Sequence, residues 1–302
     1  MTPFFKNAQV YSLRRKDVFD TQYIEAQLAA DSFKPCSAQC RSSSGWVPVI
    51  GSALALIQEN HILVNFHHEE KLLPSTVIKD EVAKRIKKIE AEQGRRLRKT
   101  ERDSIKDEAL HALLPRAFSR FKSTLVWIDL DNNRVVVNAS SPRQAENILA
   151  LLRRSLGSLP VVPFTLESPM SLTVKEWILE QSLPKPFNVS DMVRLCGVIE
   201  GSGKVAYTKS EILTDEVSTN IESGKIVSAI GLDWSERISF KVDDGLSISS
   251  IKFSHILTEQ NDDISREEPE MRFDADFLLF RSEFNLMFEG LVAVLGGEVK
   301  YD

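Results

Sequence analysis

The chain has 302 residues, of which 42% are hydrophobic, and a formal net charge of -5. This length allows a sizeable core and more than one domain, while the negative total excludes binding to a polyanion through overall charge alone. No apolar run approaches the roughly 18 to 20 residues of a membrane span, and the first residues lack the order of a signal peptide, so we expect a cytoplasmic protein. The three cysteines, Cys36, Cys40 and Cys196, are expected to be reduced thiols.

Residues 1–74 are predicted to form a mixed sheet with one helix. Apolar side chains fall on one helical face over residues 20–30, and a serine-rich turn is expected at residues 42–45. The predicted strands are residues 9–14, 46–50 and 62–67.

A basic segment, residues 75–121, follows and is predicted to form a helical hairpin inserted between sheet elements. From Lys79 to Lys122 the sequence has 14 Lys and Arg against 8 Asp and Glu, opposite in sign to the whole chain. Apolar residues recur at helical spacing only in a narrow stripe, so the hairpin should project into solvent.

The ends of the two hairpin helices follow from capping patterns. The first helix is expected to begin at Ser75 or Thr76, whose hydroxyl would cap it, and Gly94 leaves its end uncertain. The second is expected to begin at Glu101, after a cap at Thr100, and to stop at the following proline.

The hairpin leads into residues 116–122, where Phe118 and Phe121 lie among three cations. This mixture suits a phosphate backbone with stacked bases or a contact with another protein, and a solvated hairpin without special function is the third alternative. The candidate DNA-binding cations of the region are Lys84, Lys87, Lys88, Arg95, Arg96, Arg98, Lys99, Arg116, Arg120 and Lys122.

Residues 122–168 are expected to return to the first α+β region. Strands are predicted at 124–129 and 135–139, with a turn between them, and a helix from Pro142 should stop at Gly157.

Residues 169–302 are predicted to form a second α+β region, because the proline-rich passage 159–169 is the best internal boundary. The expected elements are a helix near Trp177, a glycine-rich turn at 200–204, a strand from Val205, a helix at 214–223, strands at 226–234, 237–242 and 246–253, a loose loop at 259–272 and a closing helix at 284–295. No regular alternation of strands and helices occurs, so the fold class is α+β with mixed or antiparallel sheets.

The search for catalytic motifs favours a binding protein without a cofactor. Residues 200–204 resemble a phosphate loop, but the first glycine is misplaced, and Cys36 and Cys40 have no second ligand pair for zinc. Asp129 and Asp131 share a strand face and could hold Mg²⁺ as in a nuclease, although the asparagines after them favour a turn. A Mg²⁺-dependent nuclease is kept as the alternative from the enzyme class.

Several long blocks of the sequence carry a family resemblance. These blocks are Gly45 to Pro48, Glu69 to Lys71, Leu73 to Ser75, Leu113 to Phe121, Leu149 to Pro163 and Arg272 to Phe277. With them, the chain resembles the RdgC family of bacterial recombination-associated proteins along essentially its whole length.

The resemblance implies a DNA-binding protein without catalytic activity, whose two subunits close into a ring with a positively charged hole. It implies binding to duplex and single-stranded DNA with little sequence preference, restraint of the RecA recombinase, and a place at the nucleoid and the replication fork. Phe118 is similar to an apolar residue at the family's dimer gate, and Lys209 and Lys225 match DNA-binding positions. Ser210 stands where the family has glutamine. Without the resemblance, a module that docks on an acidic protein partner stays open.

Overall fold

The computed structural model describes residues 2–16, 19–198, 203–265 and 267–299, and shows an α+β architecture. Within these residues, twelve strands pair antiparallel in one sheet with eight α-helices around it. The strands are β1 (Asn7–Leu13), β2 (Ser42–Val47), β3 (Ala55–Gln58), β4 (His61–Lys71), β5 (Ser119–Asp129), β6 (Arg134–Val137), β7 (Val161–Pro163), β8 (Phe187–Gly197), β9 (Lys204–Thr208), β10 (Lys225–Trp234), β11 (Ile238–Asp243) and β12 (Ile248–Phe253). The helices are α1 (Ile24–Ala30), α2 (Ser75–Gln93), α3 (Lys99–Leu113), α4 (Pro142–Leu156), α5 (Met170–Leu179), α6 (Asp215–Glu222), α7 (His255–Thr258) and α8 (Pro269–Val294). The predicted fold class, including the inserted basic helical hairpin, is confirmed.

The strand order is β2-β4-β5-β6-β1-β12-β11-β10-β8-β9, with β3 paired to β4 and β7 to β1. β1 links the two parts of the sheet, because it pairs with β6 through residues 9–12 and with β12 through Asn7 and Ala8. How the predicted regions 1–74, 122–168 and 169–302 separate into domains stays a prediction.

The longest ladder joins β4 and β5, the strands from which the helical hairpin grows. Its register runs from His61 opposite Asp129 to Lys71 opposite Ser119. Both faces of β5 are buried in its second half: Val126 and Ile128 pack with residues of α1 and α4, whereas Leu125 and Trp127 join the core around α8. A strand buried on both sides has a continuous apolar run, which is why this half was predictable.

Helix α8 lies in the larger core and is buried on more than one side. Phe280, Phe284 and Phe288 recur at helical spacing, and the Trp127 ring lies 5.6 Å from Phe280 and 5.9 Å from Phe284 between centroids. The closing helix was predicted to begin at residue 284, but α8 begins at Pro269. The predicted loose loop, residues 259–272, is therefore wrong for its last four residues, which are helical.

Strand pairing corrects the sequence analysis at two further places. Residues 42–45 form strand rather than a turn, because Ser42 to Val47 pair with β4. At Gly45 an added Cβ would lie 2.4 Å from the Phe33 backbone, which explains the glycine in this strand. β8 was not predicted at all, although it is the strand that pairs both β9 and β10.

The first hairpin helix begins at Ser75 as predicted, but its N-cap is Pro74 and no side chain caps it. α3 begins two residues earlier than expected, since the Glu101 carboxylate accepts from the Arg98 backbone N–H at 2.7 Å. The helix predicted to end at Gly157 does so, with this glycine at φ 77°. Most of the glycine-rich turn at 200–204, namely residues 200–202, lies outside the described residues.

Candidate nucleic-acid interface

The helical hairpin is thin and almost entirely exposed. α2 is about 28 Å long at 1.5 Å per residue, and none of its side chains is buried. Gly94 ends it in the left-handed conformation, at φ 66°, and the chain returns through α3. Only a small apolar contact holds the two helices together, with Leu97, Ile105 and Ala109 buried. A helix pair with so small an apolar core depends on polar contacts for its stability.

A cluster of ion pairs stabilises the turn between α2 and α3. Arg95 donates two hydrogen bonds to Glu101, at 2.6 and 3.0 Å, and Glu90 accepts from the Leu97 N–H at 2.9 Å and from Arg102 at 3.3 Å. The Arg95 guanidinium, together with the Arg98 N–H, lowers the pKa of Glu101 to about 2. The pKa of Glu90 is lowered by the Leu97 N–H first and by Arg102 next.

The predicted cations divide into paired and unpaired groups. Arg95 is paired with Glu101, and Arg120 with Glu70 at 2.8 Å. Within the described part of the chain, the other hairpin cations make no ion pair: Lys84, Lys87, Lys88, Arg96, Arg98, Lys99 and Arg116. Lys84, Lys87 and Lys88 share one helical face by their spacing, so unneutralised positive charge is concentrated along α2.

Phe118 follows a 3-10 turn at Leu114–Arg116 and is 85% exposed. Its backbone is nevertheless fixed, because its carbonyl oxygen accepts from the Leu72 N–H at 2.7 Å, directly beyond the β4–β5 ladder. An exposed phenylalanine on a fixed backbone suits an intermolecular contact better than a place in this chain's core.

Phe121, in contrast, is backed by other rings. It is 57% exposed and stacks on His67 at 5.8 Å between centroids, and His67 in turn meets Phe33 edge-on at 4.7 Å. His67 donates to or accepts from the Ser123 hydroxyl at 2.8 Å, and burial lowers its pKa. His68 lies on the other face of β4, next to Phe66, so the two adjacent histidines do not share a site.

Lys209 and Lys225 lie far along the sheet from the hairpin. Lys209 follows β9 with φ 56°, and Lys225 begins β10 and donates to the Ser223 hydroxyl at 3.3 Å. At roughly 4.8 Å per strand, β10 is about 24 Å and β9 about 34 Å from β5 along the sheet. A single chain therefore does not bring these two lysines into one cluster with the hairpin cations.

The two aspartates proposed as metal ligands lie at a turn, which Asp129 stabilises by accepting hydrogen bonds. Asp129 is fully buried; one oxygen accepts from the N–H groups of Asp131 and Asn132 at 3.0 and 3.1 Å, the other from the side-chain amides of Asn132 and Asn285 at 2.8 and 2.9 Å. Donor atoms of His61, Asp129 and Asp131 do lie within 4.8 Å of one another. A cation there would have to displace N–H donors from Asp129.

The fold and this interface together define an α+β protein that carries a basic helical hairpin with an exposed aromatic corner. The family model described as "Putative exonuclease, RdgC" matches residues 3–298 of the chain. The chain is 46% identical over 301 residues to the "Recombination-associated protein RdgC" of Yersinia enterocolitica serotype O:8 / biotype 1B, with 99% of both chains covered. The protein of the same name from Yersinia pestis (strain Pestoides F) gives the same identity and coverage.

This chain therefore belongs to the RdgC family, a family of recombination-associated proteins. The resemblance stated from the sequence blocks is confirmed. None of the described helices is both long and apolar enough to cross a membrane.

Proposed function

We propose that this chain is a sequence-independent DNA-binding protein that acts as a dimeric ring and regulates homologous recombination by limiting the access of RecA to DNA. It binds double-stranded and single-stranded DNA, needs no cofactor, and works in the cytoplasm at the nucleoid. The proposed DNA contacts are the hairpin cations with Arg116, Arg120 and Lys122, joined by Lys209 and Lys225, and Phe118 closes the dimer gate.

The observation that carries this proposal is the row of exposed cations on the hairpin that make no ion pair within the described chain. These seven cations can replace counterions along a DNA backbone without first breaking an ion pair, whereas Arg95 and Arg120 would have to exchange a carboxylate for a phosphate. Phosphate contacts fix position without reading bases, which accounts for the expected lack of sequence preference.

The proposal includes a dimer because a second subunit would join cation groups that one chain keeps apart. A two-fold axis duplicates each patch, so the hairpin cations of one subunit and Lys209 and Lys225 of the other can face the same DNA. The exposed Phe118 ring supplies apolar area for such a contact.

Equilibrium DNA binding over a salt series tests the proposal. With about 6 to 10 phosphate contacts, affinity should fall by roughly 10³ to 10⁵ between 50 and 200 mM salt, equally for unrelated duplex sequences. No retention of DNA even at 50 mM salt would reject the function. Adding the protein to DNA before RecA should suppress RecA filament formation more than adding it afterwards.

A second candidate is a metal-dependent nuclease centred on His61, Asp129 and Asp131, favoured by their close donor atoms and by the description of the matching family model. Incubating plasmid and linear DNA with the protein and Mg²⁺ or Mn²⁺ decides between the two. Cleavage that disappears in Asp131→Asn would establish the nuclease, and intact DNA would leave the binding function.

An acidic protein partner for the hairpin is the remaining alternative. Plain duplex DNA should occupy the hairpin at low salt if nucleic acid is the natural ligand. Failure of duplex DNA to compete with an acidic polypeptide for the hairpin would favour the protein partner instead.

A further inference from the structure

A cavity of about 490 Å³ lies between the sheet and the first turn of α4. It exists because β4 and β5 continue past the point where α4 begins, so the sheet extends beyond its covering helix. Phe66 lies opposite Thr124 and His68 opposite Lys122 on the extending face. These side chains, with Arg120 and the start of α4, line a space outside the metal-like cluster and next to the root of the helical hairpin.

The charges around this cavity are mostly positive and unneutralised. Lys122 Nζ donates to the neutral amide oxygen of Gln144 at 2.9 Å, and Arg143 is exposed and makes no ion pair within the described ranges. Arg120 is paired only with Glu70, at the solvent edge. The positive end of the α4 dipole points to the same space, because the helix begins after Ser141. A bound anion would be stabilised by all of these groups.

The inner wall of the cavity carries apolar and aromatic side chains. Phe66 and Ile148 are buried there, and the Phe66 and His68 rings are almost parallel, at 9° and 6.4 Å between centroids. The side-chain amides of Gln144 and Asn147 also line the cavity and can pair with the polar edge of a ring. The cavity can therefore bind an anionic group, the face of a flat ring and the polar edge of that ring. A nucleotide has all three, in its phosphate and its base.

We propose that this cavity binds one nucleotide of a DNA strand, with its phosphate at Lys122, Arg143 and the α4 N-terminus and its base against Phe66 and His68. The inference rests on the proposed DNA binding, and it adds Arg143, which the hairpin argument does not include. A base that enters the cavity must leave its stack, so the nucleotide comes from a single strand or a strand end and not from an intact duplex.

The experiment uses two variants that change the cavity in different ways. Arg143→Gln removes a charge, and Ser44→Tyr fills the mouth of the cavity without removing one, because Ser44 lines it from the edge strand β2. Lys175→Gln, an exposed lysine on α5, is the matched control for loss of one positive charge. Circular dichroism and the thermal midpoint check that each variant folds.

Affinity is measured for oligothymidylate and for duplex DNA at 50 mM salt. Both cavity variants should lose about tenfold in single-strand affinity and much less in duplex affinity, while Lys175→Gln stays close to wild type. If circular and linear single strands compete equally well for binding, the cavity takes an internal nucleotide. If only linear strands compete, it takes the nucleotide at a strand end.

The failures of the two proposals are distinguishable. A wild-type chain that binds no DNA defeats the proposed function itself. A wild-type chain that binds single strands, with both folded cavity variants binding them equally well, defeats only the nucleotide cavity. Displacement by polyglutamate as effective as by single-stranded DNA would also overturn it, since an acidic peptide would then fit the same charges.

Discussion

The Leu72 amide and the Phe118 carbonyl oxygen are joined by a hydrogen bond of 2.7 Å, which closes the neck of the helical hairpin. It fixes the Phe118 backbone while the ring remains 85% exposed. The backbone of Phe118 is therefore held within this chain, whereas its ring stays exposed to solvent.

Phe118→Ala should weaken the proposed dimer much more than it weakens the fold. Truncating an exposed ring changes the unfolding free energy of the single chain by no more than about 0.5 kcal/mol, whereas loss of a buried interface aromatic costs about 2 kcal/mol or more. Sedimentation equilibrium gives the dimer constant and urea unfolding the chain stability. Ile256→Ala, which truncates another exposed apolar side chain, is the control. An unchanged dimer with a lost fold would reverse the assignment.

Replacing Lys84, Lys87 and Lys88 together by glutamine should reduce DNA affinity equally for all sequences. Each lysine that contacts a phosphate contributes about one unit to the slope of log affinity against log salt, so the slope should become shallower by up to about 3. Fluorescence anisotropy over a salt series measures it. A triple variant with the wild-type slope would remove this face of α2 from the interface.

Acid should loosen the tip of the hairpin. The pKa of Glu101 is lowered from 4.5 to about 2, so its stabilising effect is fully present above pH 4.5 and is lost as the pH falls toward 2. Amide hydrogen exchange of residues 95–105, corrected for the intrinsic rate, should accelerate over that window. Glu101→Gln should already show faster exchange at pH 7 and little further change on acidification. Identical pH dependence in the two proteins would contradict the assignment.

Two residues of α8 offer a matched test of the core. Phe284→Ala should cost about 3 to 5 kcal/mol of unfolding free energy, because the buried ring packs between Phe280, Phe288 and Trp127. Leu286→Ala, two residues away and 60% exposed, should cost at most about 0.5 kcal/mol. Urea unfolding of both variants tests whether α8 packs in the core as described. Equal losses of unfolding free energy in the two variants would show that it does not.

Local sequence predicted much of the fold where one strand or helix carries its own signal. The second half of β5 is a continuous apolar run that ends in Asp129 and a turn, and α4 has Ser141 at one end and Gly157 at the other. Residues 120–123 of β5 are exposed and, apart from Phe121, polar, and it is their pairing with β4 that makes them strand. β8 was missed for the same reason, since its pairing with β9 and β10 is not encoded locally.

The candidate site was predictable in its composition but not in its arrangement. Basic composition and an aromatic corner were enough to nominate the hairpin cations and Phe118. The distance of Lys209 and Lys225 from them depends on strand order, which is a tertiary property. Arg143 was not nominated, because its role depends on how far β4 and β5 extend past α4. The only sequence signal was Pro142, which marks the start of a helix with Arg143 in its first turn.

The root of the hairpin determines how it carries mechanical load. A pull on the tip along its axis is transmitted through Lys71 and Ser119 to β4 and β5 together, because both strands leave the sheet at the same end. The force then acts in shear on the bonds that join this strand pair to β2 on one side and to β6 on the other. Many bonds must fail at once under shear, so the root of the hairpin should resist being pulled out of the sheet along this axis.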